Sequence, residues 1–283
     1  MPFTIVHAAA ALPIRWLSSA RLPLAALVVG SMSPDFEYPF RLAAVGRLGH
    51  TTGGIFTFCL PVGMAALVFF EYRLWPWVVY LAPGGHRERL VTVPPCRPQS
   101  LQAIITCAVA IVVGAASHLA WDAFTHRNGW VVQQVPMLKQ RLVSVGGLDI
   151  HVYQLLQQGS TVLGLLVLAL AYSYWYRHTM PAPIPPDQAP ERSTCRTIIG
   201  MLIVVPVVGG VLLSAWSLPV LPGSRLVAVA AVQFVVGWIA TLAVCLAALG
   251  IAHPSCGRRV DKLNGEGPSA PSGRARSDDD AGI

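Results

Sequence analysis

Five apolar runs, near residues 53–70, 101–121, 154–176, 197–217 and 225–252, limit what this chain of 283 residues can fold into. Each approaches the roughly 20 residues that a helix needs to cross the hydrocarbon core of a bilayer. In that core every backbone N–H and C=O must be satisfied internally, and a helix does this within one segment. The chain is 54% hydrophobic and 12% charged, against about 25% charged in a soluble domain. The expected fold class is therefore all-α, a polytopic helical membrane protein with about five transmembrane helices and short N-terminal interfacial helices.

A single helical membrane domain is expected over residues 1–252, followed by a polar tail over 254–283 that is expected to be disordered. Leu22–Met32 is apolar but only about half a span, so it lies at the interface or packs as a short re-entrant helix. It ends in Ser33-Pro34-Asp35-Phe36-Glu37, where proline stops or starts a helix and Asp35 suits a cap. Trp75 and Trp77 read as interfacial anchors. Residues 127–151 read as a polar loop and residues 178–195 as a Pro-rich irregular connection. The N-terminus lacks the early basic segment of a signal peptide, so the mature protein is expected to begin near Met1.

The net charge of +7 raises nucleic acid as a partner, but no basic stripe with interleaved aromatics is present. The basic residues sit in loops and tail, where contact with lipid headgroups explains them better. The six cysteines form no Cys-x-x-Cys pair, and three lie inside apolar runs. They read as small packing residues rather than as zinc or disulfide ligands.

Span counting sorts the polar residues. Five spans put the two ends of the chain on opposite faces, with face A on the N-terminal side and face B on the other. Face B carries twelve of the 20 basic residues, so positive-inside logic makes it cytoplasmic and face A external. The second span runs from face B to face A and ends in His118-Leu-Ala-Trp-Asp122-Ala-Phe-Thr-His126. It thus delivers His118 and Asp122 to the face that already holds His7, Asp35 and His50. Ionisable groups at a membrane helix end are costly and point to function.

Residues four apart share a helix face about 6 Å apart, so His118 and Asp122 can bind one metal together. His126 lies about 12 Å from His118 in rise and joins them only if the helix ends first, for which Asn128-Gly129 is a suitable stop. Imidazole and carboxylate ligands suit a divalent metal, zinc above all, with iron or manganese as alternatives. His7, Asp35, His50, His118 and Asp122 are the candidate ligands; Glu37 and His126 are candidates for general base or supporting partner. Blander readings stand beside these: His126 as a cation at a helix C-terminus, Asp35 as a cap, Glu37 as a solvated acid, His118–Asp122 as a structural pair, His151 as a loop residue.

Several motifs, in order, carry a resemblance. They are Met1-Pro2-Phe3-Thr4 with His7, Gly30-Ser31-Met32-Ser33-Pro34-Asp35-Phe36-Glu37-Tyr38, Gly49-His50-Thr51, Ser117-His118 through Thr125-His126, and Gly129-Trp130. Together they resemble the bacterial integral-membrane family called domain of unknown function 4184, closely over residues 1–180 and loosely over the last two spans. The resemblance implies a bacterial inner-membrane protein and brings no activity with it. A looser likeness is to membrane-bound metal-dependent hydrolases and zinc-dependent phospholipase C, which implies His7, Asp35, His50, His118 and Asp122 as ligands. That phospholipase is soluble and has a later His-x-x-x-Glu pair, whereas here His151 is followed four residues on by Leu155. The resemblance also implies a histidine in relatives at the position of Gln158, so an amide replaces a ligand or supporting group here. One or two metals follow, rather than three.

The function expected is that of a metal-dependent hydrolase at one membrane face, acting on a phosphoester or lipid headgroup, with membrane lipid as its surroundings and no protein partner indicated. The alternative is a non-enzymatic membrane protein, a transporter or a structural component, in which the His/Asp cluster is structural. A proton pathway would spread ionisable groups through the membrane depth, yet the last two spans hold only Arg225, at an end.

Overall fold

In the computed structural model, which describes residues 4–19, 21–145, 148–184, 191–217 and 226–252, the N-terminal segment folds into the bundle as a helical hairpin. A 3-10 turn over Thr4–Ala10 runs into α1 (Ala11–Leu17), and the chain returns as α2 (Leu24–Met32). Ala26 and Leu27, early in α2, have no exposed surface, so this segment packs within the bundle. A second 3-10 turn, Ser33–Phe36, has Pro34 in its first positions and leads to α3 (Glu37–Arg41).

Among the described residues, five helices are long and apolar enough to cross a membrane, and the first is α4 (Thr52–Leu81). Thr51 caps it, its Oγ1 accepting from the Gly54 N–H at 2.9 Å. Two π-helical segments interrupt it, Ile55–Cys59 and Phe70–Leu74. Each lies just before a proline, Pro61 or Pro76. The proline ring offers no N–H and crowds the carbonyl one turn back, so the helix widens there. The span continues past residue 70 because Glu71 is not in water: it is buried, and its Oε2 accepts from the Cys96 N–H at 3.0 Å. Trp77, expected as an interfacial anchor, is buried instead.

A short α5 (Gly84–Leu90) precedes α6 (Leu101–Thr125), the second span, which Ser100 caps through the Ala103 N–H. After α7 (Trp130–Gln134), part of the expected loop is an antiparallel hairpin of β1 (Arg141–Val145) and β2 (Leu148–His151), with Val143 opposite Ile150. His151 is the N-cap of α8 (Val152–His178) and forms a capping box with Gln154. The last two spans are α9 (Arg192–Ser217) and α10 (Leu226–Ala252). Thr179–Ile184 is irregular as expected, while Arg192 already opens α9. The polar tail from Pro254, the 218–224 connection with Arg225, and Asp187 lie outside the described residues.

Small residues set the helix spacing. In lipid there is no hydrophobic drive between helices, so close backbone approach and dispersion hold them together. Where α2 meets α6, a Cβ on Gly114 would come 2.7 Å from the Ser31 nitrogen, and Gly30 faces the Ile111 backbone. The core between α1, α2, α4 and α6 is built from Ala11, Leu27, Leu67, Cys107 and Ile111. Ile55 and Cys59, early in α4, pack on Ala115, late in α6. The start of α4 and the end of α6 therefore meet at one end of the bundle, as span counting requires. The last pair is also antiparallel: Leu213 meets Gly237, and the Ser214 hydroxyl donates to the Ala230 carbonyl at 3.0 Å.

The hairpin corrects one assignment. Arg15 lines a cavity with Arg97 and Trp175, at the end of the bundle opposite His118, so residues 1–52 are not all on face A. Arg21 lies in the turn that joins α1 to α2 at the same end, so moving both makes the division of basic residues fourteen to six.

Candidate metal centre

The cluster is assembled by four pieces of backbone. The 3-10 turn Thr4–Ala10 carries His7, the 3-10 turn Ser33–Phe36 carries Asp35, the segment before α4 carries His50, and the last two turns of α6 carry His118 and Asp122. The close approach of α2 and α6 at Gly30 and Gly114 brings the Ser31 carbonyl within 2.7 Å of His118 Nδ1. A carbonyl only accepts, so Nδ1 carries a hydrogen, and in the neutral ring Nε2 is left with its lone pair.

That lone pair points at acids. His118 Nε2 lies 3.3 Å from Asp122 Oδ2 and 3.7 Å from Asp35 Oδ1, and it is buried without a well-aligned hydrogen bond. His50 Nε2 lies 3.3 Å from Asp35 Oδ1 and 3.7 Å from Asp122 Oδ2. His7 Nε2 lies 3.6 Å from Asp122 Oδ1, and its ring stacks on that of His118 with centroids 3.7 Å apart. All five predicted ligands thus converge. Two sets of donors, His7 with Asp35 and His118, and His50 with His118 and Asp122, each have ligand atoms within 4.8 Å of one another. These buried groups can hold a metal ion. Burial above all lowers the pKa of His7 to about 4, which keeps it neutral and able to ligate.

The two residues expected to handle protons go to different places. Glu37 is buried, and its carboxylate is fully engaged. It accepts from Arg41 Nε at 2.6 Å and from the N–H groups of Arg47 at 2.8 Å, Leu48 at 3.0 Å and Gly49 at 3.1 Å. Burial works against the charge, but these donors outweigh it and hold the carboxyl below its ordinary range. Glu37 thereby fixes the turn that presents His50. Gly49 in that turn admits no side chain, because a Cβ there would press on the Pro34 backbone.

His126 stands at the rim. Helix α6 ends at Thr125, and the extended backbone of His126 swings its ring back so that Nδ1 reaches 3.1 Å from Asp122 Oδ1. The condition for its joining the site, an early helix end, is therefore met, although it belongs to neither donor set. Its Nε2 accepts from Gln157 Nε2 at 3.3 Å.

Three partners went unread in the sequence. Gln157 is buried and faces the site, whereas its neighbour Gln158, singled out by the resemblance, is exposed. Tyr38 stands 3.3 Å from His50 Nε2. Burial, then the adjacent Asp35, hold its phenol well above the ordinary range, so it stays a hydrogen-bond donor. Trp121 donates to Ser160 at 3.2 Å, tying α6 to α8, and sets its edge against His7. The i, i+3 spacing of Asp35 and Tyr38 was an available signal for the second of these.

Comparison with known proteins adds one match. No curated protein and no solved structure matches this chain. The family profile described as a domain of unknown function, DUF4184, matches residues 1–251. With spans, cluster and motifs all inside that range, the chain belongs to the DUF4184 family.

Proposed function

We propose that this protein is a metal-dependent hydrolase at one face of a membrane, acting on a phosphoester or lipid headgroup. His7, Asp35, His50, His118 and Asp122 would hold a divalent ion, zinc by the nature of the donors. The observation that supports it most is His118, whose Nδ1 is committed to the Ser31 carbonyl while Nε2 faces two carboxylates. Nitrogen lone pair and carboxylate oxygens repel unless a proton or a metal ion stands between them, and a second ring nitrogen held by a carbonyl is how ligating histidines are oriented. Nε2 can bind only one ion, so the two donor sets cannot both be completed through it. A bound ion of this kind supplies a Lewis acid and an activated water at neutral pH.

The chain's own groups divide the remaining work. Asp122 joins four imidazoles, and among them His126, with a third of its side chain exposed, is the group placed to pass a proton to solvent. Glu37 is a positioning residue. The site face is external and the opposite face cytoplasmic, in a bacterial inner membrane, by the distribution of basic residues. Protease access to a tag at Ile283 in intact cells tests this, and cleavage from outside overturns it.

A second reading has its own support. Each acid of the cluster already lies within 4 Å of two or more imidazoles, as a purely structural network would have it. Elemental analysis of protein purified without chelator separates the two. Metal at one or more per chain, together with hydrolysis of a chromogenic phosphoester or a phospholipid, supports the hydrolase. Absence of metal sinks it, and bound metal without turnover favours the structural role.

A further inference from the structure

At the other end of α6 an open cavity forms a second site that the metal centre does not use. A cavity of about 890 Å³ lies between α1, α2, α4 and the start of α6, within the range of about 300–1,000 Å³ typical of ligand pockets. From Ala103, on its wall, to His118 is about 22 Å of helical rise. Leu24, Val28 and Phe70 supply an apolar wall, while Arg15 and Arg97 contribute two cations to the lining and Glu71 one anion. The polar groups are already positioned: Arg15 Nη1 donates to the Leu22 carbonyl at 2.8 Å, the Arg97 guanidinium lies 5.0 Å from the Tyr72 ring centre, and Glu71 accepts from Cys96.

We propose that this cavity binds an anionic phospholipid, with its phosphate at Arg15 and Arg97 and an acyl chain along Leu24, Val28 and Phe70. The occupant follows from the two kinds of wall. A free phosphate would leave the apolar wall facing water, and a purely apolar molecule would make no use of the excess of positive charge in the lining. A cationic headgroup is disfavoured by the net positive charge. Trp75 and Trp175 also line the cavity and place it at the level of the membrane interface, where lipid phosphates lie. The π-helical segment Phe70–Leu74 puts Phe70 and Glu71 on this wall, a common use of such segments.

The test uses the full chain in detergent, with tryptophan fluorescence as the readout because Trp75 and Trp175 sit in the cavity. Phosphatidylglycerol, phosphatidylcholine with the same chains, and inorganic phosphate are titrated separately. Phosphatidylglycerol is expected to bind at least about fivefold more tightly than phosphatidylcholine, and Arg15→Gln or Arg97→Gln to weaken it about fivefold each. The corresponding lysine variants keep the preference, and Ala103→Trp, which fills the space without touching a charge, abolishes binding. Equal binding of the two lipids, or undiminished binding to Ala103→Trp, overturns the proposal. Competition by inorganic phosphate at millimolar concentration also overturns it, in favour of a soluble anion. If the glutamine variants do not elute as folded protein, the lysine and Ala103→Trp variants decide.

Discussion

His118 and Ser31 are joined across 87 positions of sequence by a 2.7 Å hydrogen bond from imidazole Nδ1 to a backbone carbonyl. The bond fixes both the tautomer and the direction of Nε2. It exists because two glycines, Gly30 and Gly114, let α2 and α6 approach at backbone distance. The chemistry of the site therefore depends on a packing feature one turn away from it.

Gly114→Leu tests that dependence. Its side chain would meet the backbone of Leu27 and Ser31, which cannot yield as a flexible side chain can. Overpacking of this kind costs at least about 2 kcal/mol. The expected result is a lower melting temperature in detergent together with lost metal. Gly53→Ala, where nothing lies within 4 Å of the added methyl, should be neutral or slightly stabilising. A Gly114→Leu protein with native stability and full metal content would show that the helix contact does not position the site.

Metal content should follow the sharing of His118 between the two donor sets. His118→Ala removes a ligand from both and should reduce bound metal to background. His7→Ala and His50→Ala each leave one set intact and should retain metal at reduced affinity. Elemental analysis after dialysis against a weak chelator reads the order, and equal loss in all three variants would contradict it.

Glu37 predicts a pH effect. Its carboxyl titrates below the ordinary value of 4.5 when folded, because Arg41 and the amides of the His50 turn favour the charge. A lowered carboxyl stabilises the fold above its unfolded value, and that contribution disappears as pH falls through the folded value. At neutral pH Glu37→Gln should cost about 2 kcal/mol, the scale of hydrogen bonds to a charged group. Thermal melts of wild type and Glu37→Gln should converge below pH 4.5. A gap that persists in acid would mean that shape, not charge, holds the turn.

What the sequence made legible follows from how each residue does its work. The spans were readable because length and apolarity are properties of a segment. The convergence of His7, Asp35, His50, His118 and Asp122 was readable because span parity alone sends them to one face. The crossing of Arg15 to the opposite end was not, since α1 and α2 are each too short to register as spans and are held by small-residue contacts. Glu71 read as a span boundary because a charge usually marks one; its backbone partner, Cys96, is 25 positions away. Glu37 read as a general base, a supporting partner or a solvated acid; its anchoring was not legible, since three of its donors are main-chain amides that no motif displays.

Gln157 closes the argument around His126. Its amide donates to His126 Nε2 at 3.3 Å, which leaves Nδ1 to carry the hydrogen, with Asp122 Oδ1 3.1 Å and Thr125 Oγ1 3.2 Å from it. Asp122 is thereby oriented by a chain that begins on α8, a different helix from its own. Supporting partners of this kind change metal affinity by about 10- to 100-fold. Gln157→Ala should therefore bind the same number of ions at saturation but with affinity weakened by about tenfold or more, measured by competition with a fluorescent chelator. Gln158→Ala, one residue on and facing outward, should match wild type. The reverse pattern would place position 158, not 157, behind the site and would require α8 to be rotated about its axis.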